Sequence, residues 1–340
     1  MSASLVIQTS FLGDTVLTTP LLAQLANRGP VDIVTTPAAA GLLTNHPAVR
    51  TVIAYDKRGV DAGLLGLWQL ARRLRASSYD VAFLAQGSWR SAALALLAGI
   101  PNRIGFSTSA GRLLYTRRVA YRDDLHHAAR LLMLARPNGR EPTPEELRPS
   151  LAPGAAEREA VNGFLRERGV RDDERFVAVA PGSVWGTKRW PYYPELAVAL
   201  ADATRVVIVG SDADAPLAQT ILRAAPRAVD ATGQLSLLAS AELIGRAAVL
   251  VTNDSAPMHL ASAMGTPTVA IFGPTVPDFG FGPLAPRASV VGHDSLPCRP
   301  CDRHGPQRCP LGHHRCMREL SAAQVEARAR TLLLNPDVLA

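Results

Sequence analysis

Short β-branched runs alternate with helix-length segments along this chain, break off at a proline-dense stretch, and then begin again. Such alternation is the pattern of parallel sheets covered by crossover helices. In the first half, Leu5–Thr9, Val31–Thr35, Thr51–Ala54 and Val81–Ala85 read as strands, with helices near Thr15–Asn27, Gly63–Arg75 and Trp89–Ala98. Between Arg136 and Pro153, prolines at 137, 142, 144, 149 and 153 forbid a regular element and mark a linker. The second half offers strands at Phe176–Ala180, Arg205–Val209, Val249–Thr252 and Thr268–Phe272. Helices are expected near Tyr193–Ala201, Pro216–Ala224, Ser236–Arg246 and Pro257–Met264, and a last amphipathic one over Ala322–Leu333. The fold class is therefore α/β: one Rossmann-like domain over 1–150, a second over 151–320, and a terminal helix and tail over 321–340. The 340 residues suit two cores of about 150 residues each. Two such domains facing each other would form a cleft for two substrates.

Charge separates the halves. Residues 1–150 carry 17 Lys+Arg against 10 Asp+Glu, whereas 151–340 carry 19 of each, so the whole +7 lies in the first half. Arg103, Arg112, Arg117, Arg118 and Arg122 fall in a stretch without an acid. A basic half suits an anionic partner such as a membrane surface or a phosphorylated substrate, or is simply a solvated face. Aromatic residues are only 5% and do not interleave with the arginines, which argues against nucleic acid. No apolar run reaches the roughly 18 residues of a membrane span. The segment Met1–Ser10 has no basic flank, so a cytoplasmic protein with reduced cysteines is expected. Lysine is nearly absent: Lys57 and Lys188 stand against 34 arginines, which hints that a compact ammonium matters where it is kept.

Three strand-end motifs carry the chemistry. In Thr9-Ser10-Phe11-Leu12-Gly13-Asp14-Thr15, the glycine is expected to permit a sharp turn. Asp14 is then either a catalytic base or a helix cap. No G-x-G-x-x-G follows, which disfavours a dinucleotide oxidoreductase. In Pro181-Gly182-Ser183-Val184-Trp185-Gly186-Thr187-Lys188-Arg189-Trp190, hydroxyls, glycines and cations suit phosphate; the alternative is a polar turn. In Thr252-Asn253-Asp254-Ser255-Ala256-Pro257-Met258-His259, backbone N–H groups at a helix start would receive a pyrophosphate, and Asp254 could bond a sugar hydroxyl. Alternatively, Asp254 caps the helix and His259 is a buried structural histidine.

Together these motifs resemble glycosyltransferase family 9, the ADP-heptose:lipopolysaccharide heptosyltransferases, in order and spacing over nearly the whole chain. "LAQGSWRSAALALLAGIPNRIGF" (84–106) and "CPLGHHRCM" (309–317) strengthen the likeness, the latter toward the heptosyltransferase II group. The resemblance implies a GT-B fold, an inverting mechanism, transfer from ADP-heptose to a lipid A–inner core acceptor and no required cofactor; the basic first half predicts in addition a peripheral place at the inner face of the cytoplasmic membrane. The resemblance also implies Asp14 as the catalytic base and Lys188 as the holder of the donor pyrophosphate, with Ser183 and Thr187 as neighbouring donors, beside the N–H groups expected at the helix start of Ser255. Asp254 would lie near the transferred sugar, followed by His259. Asp212 would meet the ribose, and Gln86, Ser88 and Arg90 the acceptor. The motif departs from the family's more usual "DSGL" by reading "DSAP".

Other features leave alternatives open. Asp212-Ala213-Asp214 spells a D-x-D metal motif but opens a helix, where capping explains it. Cys298, Cys301, Cys309 and Cys316, with His304, His313 and His314 among them, are dense enough for a structural zinc or are simply free thiols. His126 and His127 read as structural or solvated, and Trp185 and Trp190 as packing or as adenine stackers. The rival functions are a GT-B transferase or epimerase for another nucleotide sugar, and a non-catalytic nucleotide-binding module.

Overall fold

Runs such as Leu5–Ile7 and Val249–Val251 are apolar at every position because parallel strands are covered on both faces. The computed structural model describes residues 3–334, and these fall into two units, one ending at Ala152 and the other starting at Pro153.

In the first unit β1 (Ser4–Gln8), α1 (Leu12–Ala26), β2 (Val31–Thr35), a short α2 (Pro37–Ala40) and β3 (Thr51–Ala54) are followed by α3 (Gly63–Arg75). Then come β4 (Val81–Leu84), α4 (Trp89–Leu97), β5 (Asn102–Phe106), β6 (Arg117–Val119) and α5 (His127–Met133). The strands form one parallel sheet in the order β3-β2-β1-β4-β5-β6. Strand order reverses between β1 and β4, whose register pairs Ser4 with Val81 and Ile7 with Leu84. The linker stretch holds only a single 3-10 turn, Glu145–Leu147.

The second unit repeats the plan. It contains α6 (Ala155–Glu167), β7 (Phe176–Ala180), α7 (Tyr193–Ala201), β8 (Arg205–Ile208), α8 (Ala215–Ala224), β9 (Val229–Asp230) and α9 (Leu237–Arg246). These are followed by β10 (Val249–Asn253), α10 (Ala256–Met264), β11 (Thr268–Phe272), β12 (Ala288–Gly292), a short α11 (Arg315–Arg318) and α12 (Ala322–Leu334). Sheet order is β12-β11-β10-β7-β8-β9, all parallel, with the reversal between β7 and β10. The core packs Val177, Val179, Val249, Val251, Val269 and Ile271 of the sheet against Leu196, Leu200, Val325 and Leu332 of α7 and α12.

Both units thus have the strand order of dinucleotide-type α/β sheets, in which ligands bind beyond the carboxyl ends of the strands at the order reversal. The three motifs lie there: the Asp14 loop follows β1, the Lys188 loop follows β7, and the Asp254 loop follows β10.

Helix α1 begins at Leu12, earlier than the expected Thr15. Gly13 is therefore a buried helical residue and makes no sharp turn, which corrects the reading of that glycine. Pro20 interrupts α1 without ending it: the Val16 carbonyl, which a proline at that position cannot reach, accepts from the Thr19 hydroxyl at 2.8 Å.

Candidate active site

Asp14 is the third residue of α1, so its carboxylate sits in the first turn of a helix whose N-cap residue is Phe11, without a side-chain capping bond to the helix. It is not itself the cap. Its Oδ2 accepts from Ser10 Oγ at 2.5 Å, and its Oδ1 lies 3.8 Å from His127 Nε2 at the start of α5. Ser10 has one proton and two acceptors in reach, the other being Gln8 Oε1 at 2.7 Å; an ionised carboxylate is the stronger competitor. The Asp14 side chain remains 19% exposed, enough for a reacting hydroxyl to reach it. His127, read from sequence as structural or solvated, is thus a neighbour of Asp14. No local spacing signals that pairing, because α5 reaches α1 only through the fold.

Around this carboxylate, Thr9 Oγ1 donates to Gln86 Oε1 at 2.5 Å and Lys57 Nζ donates to the Thr9 carbonyl at 2.7 Å. Burial, then the charges of Arg58 and Arg90, pull the Lys57 pKa down. Ser88 is the N-cap of α4, accepting from the Ser91 N–H at 3.0 Å. Arg90 reaches Tyr55 Oη at 2.6 Å and the Gly63 carbonyl at 2.5 Å. Gln86 therefore faces the Asp14 loop, whereas Ser88 and Arg90 spend these bonds on building the sheet's edge. The acid-free arginine stretch is also partly structural: Arg103 donates to the Ile100 and Leu114 carbonyls, Arg117 to the Leu134 carbonyl, and Arg122 pairs with Asp124 and Glu141.

In the second unit, Lys188 Nζ and Asp254 Oδ2 form an ion pair of 2.6 Å, with both side chains about nine-tenths buried. Thr275 Oγ1, just past β11, donates to the same carboxylate oxygen at 2.7 Å. Asp254 is therefore not the cap of α10. Ser255 holds that position, and its side chain makes no capping bond. The uncapped helix start offers its N–H groups beside the Lys188 ammonium, donors suited to a diphosphate, while Asp254 balances the ammonium's charge. His259 is buried on α10.

Asn253, which sequence reading passed over, organises the corner. Its Nδ2 donates to the Pro181 carbonyl at 2.9 Å, and its Oδ1 accepts from Trp190 N at 3.2 Å and Tyr193 Oη at 3.3 Å. The β7 and β10 loops are stitched together by one buried amide. Trp190 belongs to the core, its indole donating to the Leu320 carbonyl, and so does not stack on a ligand. Ser183 is half-buried and accepts from Trp185 N at 3.3 Å. Asp212 is exposed past β8, whereas Asp214 makes the cap, accepting from both the N–H and hydroxyl of Ser211. The D-x-D sequence is thus a capping device.

The cysteine-rich segment braces the Lys188 loop from behind. Thr187 Oγ1 donates to the Pro306 carbonyl at 2.5 Å, His314 Nε2 lies 2.8 Å from the Thr187 carbonyl, and Gln307 bonds Gly186 N and the Val184 carbonyl. Trp185 stacks on His304. The Thr187 hydroxyl, expected at the phosphate, is here directed to the segment. The four cysteines are unbridged. Burial, then the neighbouring thiols of Cys301, Cys309 and Cys298, push the Cys316 thiol up to about 11. Cys298 Sγ lies 4.0 Å from His313 Nε2. Among the described residues, no group of three or more His, Cys, Asp or Glu is placed to hold a metal ion, and no helix is long and apolar enough to cross a membrane.

With this geometry in view, the chain can be compared with known proteins. The model of glycosyltransferase family 9 (heptosyltransferase) matches residues 67–309. Lipopolysaccharide heptosyltransferase 2 of Escherichia coli is 32% identical over 306 residues, covering 84% of this chain and 87% of the relative. The solved structure of E. coli ADP-heptose lps heptosyltransferase II superposes with a TM-score of 0.80 at 26% identity, covering 99% of this chain and all of the other. A glycosyltransferase family 9 structure from Veillonella parvula, at 24% identity, shares the fold with a TM-score of 0.87 and 98% coverage of both chains.

Proposed function

The chain belongs to glycosyltransferase family 9, and from that premise we propose that it transfers a heptose from ADP-heptose to the lipopolysaccharide inner core with inversion at the anomeric carbon. The observation that carries the mechanism is Asp14, a reachable carboxylate at the order reversal of the first sheet, oriented by Ser10 and His127. Asp14 takes the proton of the acceptor hydroxyl. The freed oxygen bonds to the anomeric carbon as the bond from that carbon to the diphosphate breaks, and ADP leaves with the electron pair.

The charge that develops on ADP needs a preorganised counter-charge. Lys188 and the uncapped start of α10 at Ser255 supply it. Asp254 and Thr275 keep the ammonium in place until the donor arrives, and Asp254 with His259 then borders the sugar. Ser183 adds a hydroxyl to the diphosphate, and Asp212 meets the ribose. Gln86 orients the acceptor, with Ser88 and Arg90 shaping the loop on which it sits.

A lipid A–inner core acceptor brings the protein to the inner face of the cytoplasmic membrane as a peripheral partner, and the +7 of the first half supports that attraction. A structural zinc on Cys298, Cys301, Cys309 and Cys316 is chemically apt because thiolates suit it, but the side chains do not form a closed ligand set. No step of transfer runs through it. Metal analysis finding no zinc, with four titrating thiols in the folded protein, would dispose of it.

The function is tested by incubating the enzyme with a panel of nucleotide sugars and a truncated core acceptor, then identifying the product by mass spectrometry and NMR. A heptosylated core formed only from ADP-heptose is expected. Turnover of another nucleotide sugar in its place, or donor binding without product, would overturn the proposal.

A further inference from the structure

We propose that the outer face of α3, with Val60 in the turn before it, seats the first unit on an anionic lipid surface beside the acceptor loop. This rests on the reading that the acceptor is lipid-linked. Helix α3 buries Gly66, Leu67, Leu70, Ala71 and Leu74 on one arc. At 3.6 residues per turn the opposite arc holds Leu64, Leu65, Trp68, Gln69, Arg72, Arg73 and Arg75. Leu64 is 85% exposed, Leu65 66%, Trp68 48% and Val60 91%. A helix of a soluble domain ordinarily turns its polar side to water, so large apolar groups gathered on that side point to a partner.

The residues on the arc say what the partner is. Its first two turns carry Leu64, Leu65 and Trp68 with Gln69 as their one polar member, and its last turn is cationic, with Arg72, Arg73 and Arg75 and no acid anywhere in the helix. The Arg72 guanidinium lies 4.8 Å from the Trp68 ring centroid, so the two sit on one surface. Leucine and tryptophan beside arginine are the composition of segments that lie in a membrane interface, where each cation gains from anionic headgroups. The nearby acids are bound within their own turn, Asp56 Oδ1 accepting from Gly59 N at 2.9 Å and Asp61 Oδ2 from Asp56 N at 2.8 Å, and they are outnumbered by Lys57, Arg58, Arg72, Arg73 and Arg75.

Position supplies the second argument. The turn 55–62 leaves β3 at the carboxyl edge of the sheet, the same edge that carries Asp14. Lys57 from this turn bonds the Thr9 carbonyl, and Arg90 bonds the Gly63 carbonyl at the first residue of α3. The apolar face is therefore continuous with the acceptor loop. An acceptor anchored by acyl chains in a surface under α3 presents its sugars at the edge where Asp14 waits.

The test uses the full chain and vesicles of phosphatidylcholine, alone or mixed with phosphatidylglycerol, with no acceptor present. Wild type should sediment with the anionic vesicles and less so in high salt. The double variant Leu64→Asp/Leu65→Asp should lose at least about tenfold in partitioning, with its thermal midpoint unchanged because both positions are exposed. Brominated lipid should quench a fluorescence component that Trp68→Phe removes. Turnover of an acyl-free core oligosaccharide should be the same in wild type and double variant; its absence in wild type would sink the functional reading and leave the vesicle result standing. Equal vesicle binding by wild type and double variant overturns the surface. So does a dimer of this chain that the double variant dissociates while vesicle binding persists, since the face would then cover a second copy.

Discussion

Replacing Lys188 with alanine should damage the second unit twice over, in its stability and in its donor site. Lys188 and Asp254 are 2.6 Å apart with side chains only 9% and 10% exposed, so deleting the ammonium leaves a buried carboxylate with Thr275 as its remaining hydrogen-bond donor among the two. Stranding one member of a buried pair costs about 3–5 kcal/mol, whereas a pair at the surface is worth at most about 1 kcal/mol. For a unit of this size that is a fall of roughly 6–20 °C in thermal midpoint. Removing both charges together, in Lys188→Met/Asp254→Asn, should recover a large part of the stability, because no uncompensated charge remains. Donor affinity should not recover, since the diphosphate still lacks its cation. Denaturant unfolding and calorimetric titration with ADP on the two single variants and the double variant measure both halves of the argument. A Lys188→Ala protein that unfolds like wild type and binds ADP equally well would refute it.

Three further outcomes follow from the same geometry. His127→Gln should lower kcat by about tenfold or more while leaving ADP affinity unchanged, because it disturbs the orientation of Asp14 and not the donor; unaltered kcat would make His127 merely structural. His314→Ala should raise the donor KM several-fold with little change in kcat, since it frees the Thr187 carbonyl behind Lys188, and His314→Gln should restore part of the loss; equal KM in all three proteins would remove the brace. Burial of Asp32 raises its pKa, but bonds from Arg50 and Tyr79 and the Arg50 charge outweigh this and hold it below its ordinary 3.8. A depressed carboxylate stabilises the native state above that value and loses its contribution as pH falls through the native pKa. The stability gap between wild type and Asp32→Asn should therefore close below about pH 4, and a gap constant to lower pH would contradict the assignment.

The inner strands were legible because burial on both faces leaves mostly apolar runs: Val31–Thr35, Phe176–Ala180 and Thr268–Phe272 begin and end where the sequence puts them, and so does the part-exposed edge strand Thr51–Ala54, which its β-branched Thr-Val-Ile marks. The strands missed lie toward the edges. β5 starts with Asn102-Arg103, β6 reads Arg-Arg-Val, β9 has two residues, and β12 is half-exposed, so none carries the apolar signature. The Asp214 cap was written in Ser211-x-x-Asp214, a spacing that closes a capping box.

In the candidate site, loops at strand ends could be located from sequence, but their internal pairings could not. Lys188 and Asp254 stand 66 positions apart, and each was assigned to the ligand separately; only the adjacency of β7 and β10 makes them partners. His127 meets Asp14 for the same kind of reason, through the packing of α5 on α1. Thr187 looked like a phosphate ligand because its neighbours are glycine and lysine, and nothing local reveals that Pro306 takes its hydroxyl. Gly13 was read as a turn because glycine at a strand end usually is one, yet α1 starts before it.

The central claim is that Asp14 is the base, and the rate of Asp14→Asn, measured with ADP-heptose and a core acceptor under single-turnover conditions, tests it most directly. Asparagine preserves the shape and can still accept from Ser10, but it cannot take a proton, a loss of about 10²–10⁴-fold or roughly 3–5 kcal/mol of barrier. The account predicts that fall with ADP affinity and thermal midpoint near those of wild type. An Asp14→Asn enzyme that transfers heptose at the wild-type rate would contradict it.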